Sequence, residues 1–462
     1  MLHVMLVAVL LLSSLWTARA DTYLVLPDGS GDVPTIQAAI DSAAHGDVIL
    51  LGNGTFIGQG NRDLRYRGKR ITVQSESDDP STCTIDCQGS YTSRHRGFIF
   101  TAHESSSSVL QGITIANGYV HGSPVSWEGQ GGAIYCEFSS PSVSNCIFRN
   151  NSALTGGAVT CDLLADAVFT DCVFEENESR LGGNSGGMYS VTSSPILVRC
   201  VFAGNISAGV FWRGGQSLLV QDCTFSDHAS RGLYCEDADP GGTLLIEGCR
   251  FLHNGEAGVR LYGSTQTLSQ CSFWENHASN GGALKIEHEA VVTVTDCLFY
   301  SNRADESGGA VWCETGSASF INCTMADNEA ANGAGGIDCG AAAVSLENTI
   351  VALSTLGGAI SGSAALSCCD LFGNEGGDWV GDIAGQYGTD GNISEDPLFC
   401  DPMNADYTIQ EDSPCAPFSM PNPECDLIGA QPIGCPPPAA IWPTEEKPTW
   451  GGLKALFRQE GR

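Results

Sequence analysis

Apolar and polar residues alternate in short runs along most of this chain, and the runs carry a recurring phrase. The phrase begins with Gly-Gly-Ala. Three residues follow, of which the first and third are apolar and the middle one varies. It occurs at Gly131–Cys136, Gly156–Cys161, Gly281–Ile286 and Gly308–Cys313, with looser copies between them. Alternation with a period of two residues is typical of β-strands. Within each copy the two apolar residues therefore face one side of a strand, and the residue between them faces the other side.

A second phrase lies between copies of the first, and it consists of a Cys, any residue and generally a Phe, usually followed by an Asn. Its cysteines are Cys146, Cys172, Cys200, Cys223, Cys249, Cys271, Cys297 and Cys323. A third apolar position precedes each of these cysteines by three residues, at Val143, Phe169, Leu197, Val220, Ile246, Leu268, Val294 and Phe320. Two phrases with one period of about 25 residues indicate a solenoid.

Three short strands in each repeat predict an all-β fold, a right-handed parallel β-helix, because each strand pairs with its copy in the next repeat. About 13 coils stacked at strand spacing would make a rod of roughly 60 Å. The small pairs suit sharp corners with positive φ. Asn or Asp before the phrase cysteine suits a second corner in left-handed geometry, at Asn145, Asp171, Asp222, Asp296 and Asn322. Stacked copies of these corner residues are expected to form a ladder.

The remaining segments predict the ends of the rod. Residues 1–20 are typical of a secretory signal peptide, with an apolar run at Val4–Leu12 that is too short to span a membrane; a retained anchor is the alternative. Residues 34–46 predict a helix that caps the first coil, within a β-helix unit of 21–366. Residues 367–435 predict an irregular C-terminal cap. Residues 436–462 predict a Pro-rich linker and a short amphipathic tail.

The 21 cysteines fall into two groups. Those of the second phrase face the predicted core, where a thiol packs as a small apolar group. Cys400, Cys415, Cys425 and Cys435 lie in the irregular cap, where disulfides are expected in an exported protein. The pairs Cys400–Cys415 and Cys425–Cys435 are favoured, although spacing alone does not determine the pairing. No Cys and His spacing indicates a zinc site.

Composition narrows the class of partner. The chain has 57 Gly, only 16% charged residues and a formal net charge of −32. Such a surface repels nucleic acids and anionic lipid headgroups, so neither is expected as a partner. The mature chain is expected to be secreted or attached to a cell surface.

The quoted motifs resemble those of a known family. The Gly-Gly-Ala and Phe-x-x-Asn phrases at one period resemble the polymorphic outer membrane protein repeats of exported bacterial β-helix proteins. The stretch 35–49 is similar to the N-terminal cap of the pectin-lyase-like superfamily. The phrases at 395–399, 413–415 and 428–430 are similar to the C-terminal end of such chains. This resemblance implies an adhesin or autotransporter context, in a superfamily that also contains lyases and hydrolases.

The outward positions of the first-phrase strand are the candidate site, because enzymes of that superfamily generally work on one outer strand face. One column contains Tyr135, Thr160, Ser190, Phe211, Tyr234, Arg260, Lys285, Trp312 and Asp338, and the other contains Glu137, Asp162, Thr192, Arg213, Glu236, Tyr262, Glu287 and Glu314. Aromatic faces beside polar groups suit a sugar-binding surface. The ligand-binding candidates are Tyr135, Glu137, Asp162, Phe211, Tyr234, Tyr262 and Trp312.

Two functions follow from these columns. The first is binding or adhesion toward carbohydrate or a cell envelope. The second is a polysaccharide lyase, or less readily a hydrolase, with the catalytic candidates Glu236, Arg260, Lys285, Glu287 and Glu314. A lyase needs carboxylates that hold Ca²⁺ against a uronate, and an Arg or Lys that takes a proton. Apart from that Ca²⁺, no cofactor is expected. The same residues also fit a solvated strand face whose opposite charges pair across coils.

Overall fold

A computed structural model describes residues 20–122, 127–180, 185–238 and 241–435. In these ranges the chain winds into a right-handed parallel β-solenoid of about 13 turns, as the repeat predicts. The expected signal sequence up to residue 19 lies outside the described residues, and so do the expected linker and tail at 436–462. No helix in the described ranges is long and apolar enough to cross a membrane.

Three long sheets form the walls of the solenoid. The first sheet contains Thr22–Val25, Val48–Leu51, Thr72–Ser75, Val109–Gln111, Ser142–Ser144, Val168–Thr170, Ile196–Val198, Ser217–Gln221, Thr243–Glu247, Thr265–Ser269, Val291–Thr295, Ser317–Ile321, Ala343–Glu347 and Ala364–Ser367. The second contains Gly54–Phe56, Cys83–Asp86, Thr114–Ala116, Ile147–Arg149, Val173–Glu175, Val201–Ala203, Thr224–Ser226, Arg250–Leu252, Ser272–Trp274, Leu298–Tyr300, Thr324–Ala326, Ile350–Ala352 and Asp370–Phe372.

The third sheet carries the first phrase. It contains Phe98–Phe100, Ile134–Glu137, Val159–Asp162, Ser185–Val191, Ala208–Arg213, Leu233–Glu236, Val259–Tyr262, Leu284–Glu287, Val311–Cys313, Glu329–Asp338 and Leu356–Ser361, with side strands His277–Asn280 and Arg303–Ser307. Two short pairs complete the strands: Ser152–Ala153 with Glu178–Ser179, and the antiparallel Phe399–Asp401 with Asp406–Ile409. Trp127–Gly129, Gly381–Gln386 and Pro402–Asn404 are 3-10 turns.

The interior is a set of vertical columns. Phe148, Phe174, Phe202, Phe225, Phe251, Phe273 and Phe299 stack with ring centroids 4.3–5.0 Å apart. The cysteines of the second phrase and the third apolar column are buried beside them. The predicted inward parity is therefore confirmed. In-register stacking lets every coil bury the same groups against the coil before it.

Both predicted corners are also found. The five Asn and Asp residues that precede a phrase cysteine have φ of 50–54°. Gly131 has φ of 62°, and a Cβ on its neighbour Gly132 would lie 2.2 Å from the carbonyl oxygen of Gly157 in the next coil. The small pair is required because two coils approach backbone to backbone at this corner.

A buried ladder of asparagines runs up one corner, and it is formed by the Asn that follows the Phe. Of the residues before the Cys, Asn322 Nδ2 donates to Asp296 Oδ1 at 3.2 Å, so the predicted ladder at that second corner is present in part. Asn254, Asn276, Asn302 and Asn328 are linked from Nδ2 to the next Oδ1 at 2.8–3.0 Å. Each Nδ2 also donates to a backbone carbonyl oxygen, as from Asn276 to Phe251 at 2.8 Å. Each amide therefore satisfies the backbone of two coils at a corner that water does not reach.

Substitution Asn276→Ala is expected to destabilise the solenoid by about 2–4 kcal/mol, because it leaves several buried donors and acceptors unpaired, each at about 1–3 kcal/mol. The midpoint of urea unfolding, followed by far-ultraviolet circular dichroism, measures this change. Asn53→Ala is the matched control, since Asn53 is exposed and its side chain accepts only one hydroxyl hydrogen bond. Equal effects of the two substitutions would contradict a stabilising ladder.

His228 interrupts the ladder between Asn205 and Asn254. Its Nδ1 accepts the backbone N–H of Asn205 at 3.1 Å, and its Nε2 has no hydrogen-bond partner among the described residues. Burial lowers the pKa of His228 from 6.5 to about 4. The unfolded chain binds a proton at His228 below pH 6.5, whereas the folded chain does so only near pH 4. The neutral, buried His228 is therefore tolerated without a protonation penalty above pH 6.5, and the free energy of unfolding decreases as the pH falls from 6.5 toward 4.

His228→Asn is expected to reduce this acid sensitivity, since an Asn restores the neutral ladder. Between pH 7 and 4 the wild type should lose about 3 kcal/mol more stability than the variant, because the pKa of His228 is about 4 in the folded protein and 6.5 in the unfolded chain. Urea unfolding at a series of pH values measures the difference. Parallel pH profiles for the two proteins would refute it.

The N-terminal cap differs in detail from the prediction. The helix spans Ile36–Ser42, shorter than 34–46, because Thr35 is its N-cap and accepts the N–H of Ala38 at 3.2 Å. The strand Thr22–Val25, which was not predicted, extends the first sheet by one member. Its open edge is covered by Asp32, whose carboxylate and N–H bond to the backbone of Leu24. This contact blocks further strand pairing at the end of the rod.

The C-terminal coils extend beyond the expected boundary at 366, to Phe372. Gln386 then closes the first sheet, because its amide bonds the backbone of Leu366 and Ala364 at 2.9 and 2.7 Å. The chain after it folds back over the outer side of the second sheet. There the Tyr407 hydroxyl donates to Asp327 at 2.7 Å. The irregular cap thus covers a wall of the rod as well as its end.

The favoured disulfide pairing is wrong. The bonds are Cys368–Cys425 and Cys400–Cys435, and Cys415 is a buried free thiol that donates to Asp370 at 3.2 Å. Cys368 has a positive φ at the corner before an inward cysteine. Its side chain therefore leaves the coil and meets the cap. Most other coils have Asn or Asp at this corner position. A Cys there could have indicated from the sequence that its side chain points out of the coil and is available for a disulfide.

Alkylation of denatured, unreduced protein should label Cys415 and leave Cys368 unlabelled, as peptide mass mapping can show. Substitution Cys368→Ser is expected to cost about 2–5 kcal/mol, because the bond closes a long loop. Recovery of a peptide that links Cys400 to Cys415 would disprove the assignment.

Candidate functional site

The outer face of the third sheet presents two columns of side chains in strict register. Residues of successive coils pair as Phe211 with Tyr234, Tyr234 with Arg260, Arg260 with Lys285, and Lys285 with Trp312. The columns predicted from the sequence are correct except in one coil. There Tyr189 and Val191 face outward in place of Ser190 and Thr192, because the strand Ser185–Val191 contains a register shift.

The first part of this face is covered. Tyr135, predicted to bind ligand, is only 2% exposed. The guanidinium of Arg96 lies over its ring at 5.7 Å and over Trp127 at 5.2 Å. Burial lowers the pKa of Arg96 to about 10. Arg96, which also contacts the exposed Trp127, therefore covers the ring of Tyr135, and Tyr135 is not available to a ligand.

An aromatic ladder occupies the middle of the face. The rings of Tyr189 and Phe211 are stacked at 5.1 Å and 12°, and Phe211 meets Tyr234 edge to face at 4.9 Å. Phe211 is 5% exposed, so it supports its neighbours more than it offers surface. Tyr189 and Tyr234 are partly exposed. Tyr189 was missed by sequence analysis, because its coil lacks a regular copy of the first phrase.

Charged residues continue the ladder. Glu287 is almost fully buried. Its carboxylate accepts a hydrogen bond from Arg260 Nε and forms an ion pair with Lys285 Nζ at 3.3 Å. The Arg260 guanidinium lies 4.7 Å from the Tyr234 ring centroid, and Lys285 Nζ lies 5.0 Å from that of Trp312. Burial alone would lower the pKa of Arg260. The hydrogen bond to Glu287 and the negative charge of Glu287 outweigh burial, so the pKa of Arg260 is raised. Both cations are therefore paired with the same carboxylate.

The other predicted residues lie around this centre. Glu236 is 3.9 Å from Arg213, and Tyr262 stacks on His288 at 4.4 Å. Glu314 is exposed just beyond the strand that carries Trp312. Glu137 and Asp162 are partly exposed in earlier coils. The pKa of Asp162 is raised, mainly by its partial burial and also by the negative charge of Glu137. The structure therefore brings Arg260, Lys285 and Glu287 together, and it places Glu236 and Glu314 at their borders.

The outward side chains of the central coils, among them Tyr234, Arg260 and Trp312, are partly exposed to solvent. Two concavities, of about 450 and about 310 Å³, lie elsewhere, the first near Arg62 and His95 and the second among the last coils near Gly358. Neither is lined by the five catalytic candidates. Among the described residues no three His, Cys, Asp or Glu side chains are placed to hold a metal ion. Since Glu287 already binds two cations, it does not fit a calcium ligand.

Comparison with known proteins agrees with this architecture. The family described as "Right handed beta helix region" matches residues 166–285 and 239–393. Metabotropic glutamate receptor-like protein R of Dictyostelium discoideum is 25% identical over 171 residues, which cover 35% of this chain and 10% of that protein. The chain thus spans about a tenth of the length of this relative.

Solved structures of similar shape include an alginate lyase of the PL6 family, AlyGC. It has 13% identity and a TM-score of 0.49, with 92% of this chain and 59% of that chain covered. Another is PfbA, a surface adhesin of Streptococcus pneumoniae. It has 12% identity and a TM-score of 0.45, with 74% and 85% covered. Likeness at this level concerns the fold and not the activity.

Proposed function

We propose that this chain, a right-handed parallel β-helix protein of the pectin-lyase-like type, is a binding or adhesion module for carbohydrate or a cell-envelope glycan. The ligand lies along the outer face of the third sheet. The observation that carries this proposal is the unbroken outward column Tyr189–Phe211–Tyr234–Arg260–Lys285–Trp312, whose members contact one another from coil to coil. Flat rings and fixed polar groups at the spacing of parallel strands suit an extended sugar chain.

The state of the charged groups favours binding over catalysis. A lyase base must give up its own proton before it takes one from substrate. Glu287 raises the pKa of Arg260 and so favours its charged form, and the same carboxylate forms an ion pair with Lys285 Nζ at 3.3 Å. In this arrangement they are preorganised hydrogen-bond donors toward hydroxyl oxygens.

The disulfides favour an exported location. Cys368–Cys425 and Cys400–Cys435 need an oxidising compartment to form and persist. We therefore propose that the protein acts outside the cytosol, secreted or at a cell surface.

Tyr234→Ala is expected to weaken binding to immobilised polysaccharide about tenfold, or about 1.4 kcal/mol, because it removes the ring in contact with both Phe211 and Arg260. Binding to a panel of neutral and acidic polysaccharides, measured by biolayer interferometry, tests this. Tyr387→Ala is the matched control, since Tyr387 is an exposed tyrosine in the C-terminal region. Absence of binding to any member, or equal loss in both variants, would refute the proposal.

The alternative, a polysaccharide lyase, is tested with the same panel in the presence of Ca²⁺. Ultraviolet absorbance of unsaturated uronides reports the products. Turnover that disappears in Lys285→Ala or Arg260→Ala would replace the binding function with catalysis.

A further inference from the structure

A hydrogen-bonded chain of three side chains lies on the first coils, away from the aromatic column. The Oγ of Ser93 lies 3.1 Å from Nε2 of His95, and Nδ1 of the same ring lies 2.6 Å from Oδ2 of Asp63. A hydroxyl, an imidazole and a carboxylate in this order form the arrangement that activates a serine nucleophile.

The backbone holds two of these residues firmly. The N–H of Asp63 donates to the carbonyl oxygen of Arg96 at 2.7 Å, and the second carboxylate oxygen of Asp63 accepts the N–H of Arg96 at 3.0 Å. His95 exchanges both backbone hydrogen bonds with Tyr119 in the following coil, at 3.0 and 2.8 Å. The imidazole and its carboxylate are thus fixed by contacts among three coils. Ser93 lies on the exposed turn that begins at Ser90.

A concavity of about 450 Å³ opens beside this chain of groups. It is lined by Gln37, Gln59, Gly60, Arg62, Asp63 and His95. The His95 side chain is 24% exposed, so the ring is open to a small ligand and still held in place. The guanidinium of Arg62, which donates to the carbonyl oxygen of Cys87 at 2.8 Å, brings positive charge to the same wall. Such a charge favours an oxyanion that develops nearby.

We propose that Ser93, His95 and Asp63 form a hydrolytic site for short-chain acyl esters of polar alcohols. The Ser93 Oγ forms a bond to the ester carbonyl carbon while its proton passes to His95 Nε2. The carbon–oxygen bond to the alcohol then breaks, and His95 returns the proton to the departing alkoxide. Water, deprotonated by His95, then forms a bond to the acyl carbon. The bond from that carbon to Ser93 Oγ breaks, His95 returns the proton to Oγ, and the acid is released. Asp63 is the positioning residue, because its carboxylate accepts a hydrogen bond from the Nδ1–H of His95 and so sets the tautomer of the ring.

Hydrolysis of p-nitrophenyl acetate by the full chain tests this site. Ser93→Ala and His95→Gln should each lower the rate at least about a hundredfold, toward the uncatalysed rate. Thr92→Ala is the matched control, because it removes a neighbouring exposed hydroxyl that lies outside the triad, and it should keep the wild-type rate. Asp63→Asn conserves size and tolerance of the positive φ at this position, and it should slow the rate through loss of the correct tautomer.

Covalent labelling gives a second readout. A fluorophosphonate probe should modify Ser93 in the wild type, as peptide mass mapping shows, and the label should be lost in His95→Gln. Hydrolysis that persists in Ser93→Ala but fails in His95→Gln would overturn the proposal, since it would reveal a bare imidazole as nucleophile. Absence of both turnover and label would also overturn it. Neither result bears on glycan binding by the aromatic column, which Tyr234→Ala tests independently.

Discussion

The structure depends on the parallel pairing of each coil with the next one. A strand of three to five residues cannot satisfy its backbone groups alone, and in this fold its partners lie one turn earlier and one turn later. The repeat must therefore return to the same register whatever happens at the corners. The stacking of Phe148 on Phe174 and of Asn276 on Asn302 results from this register, which places side chains of one type about one strand spacing apart.

The same pairing leaves two open ends and three outer walls. Asp32 covers the strand edge at one end, and Gln386 covers it at the other. Each uses a polar side chain in place of the missing strand. Beyond Gln386 the chain covers part of the second sheet. The Cys368–Cys425 disulfide joins it to the last coils, and Cys400–Cys435 closes a loop within the cap itself. The third sheet is left open over its central coils, and it is there that outward residues can meet a ligand.

On that wall, neighbours across coils decide the chemistry of each side chain. Arg260 and Lys285 stand in one column, and Glu287 in the other lies close enough to accept both. Two like charges in adjacent coils would repel each other without that carboxylate. Tyr234 and Trp312 extend the group at either end through contacts between their rings and the cations. The result is a rigid surface in which neither cation stands alone.

The sequence by itself determined the repeat, the inward columns and most of the outward ones, because a period of two within a strand and about 25 between coils leaves few alternatives. It could not locate Tyr189, whose coil departs from the phrase, nor separate the buried Asn ladder from the exposed corner residues. Only the tertiary structure decided that Cys368 and not Cys435 bonds to Cys425, and that Asp63 meets His95. These contacts join segments that the local pattern leaves independent, since their geometry depends on how corners and the cap fold back on the coils.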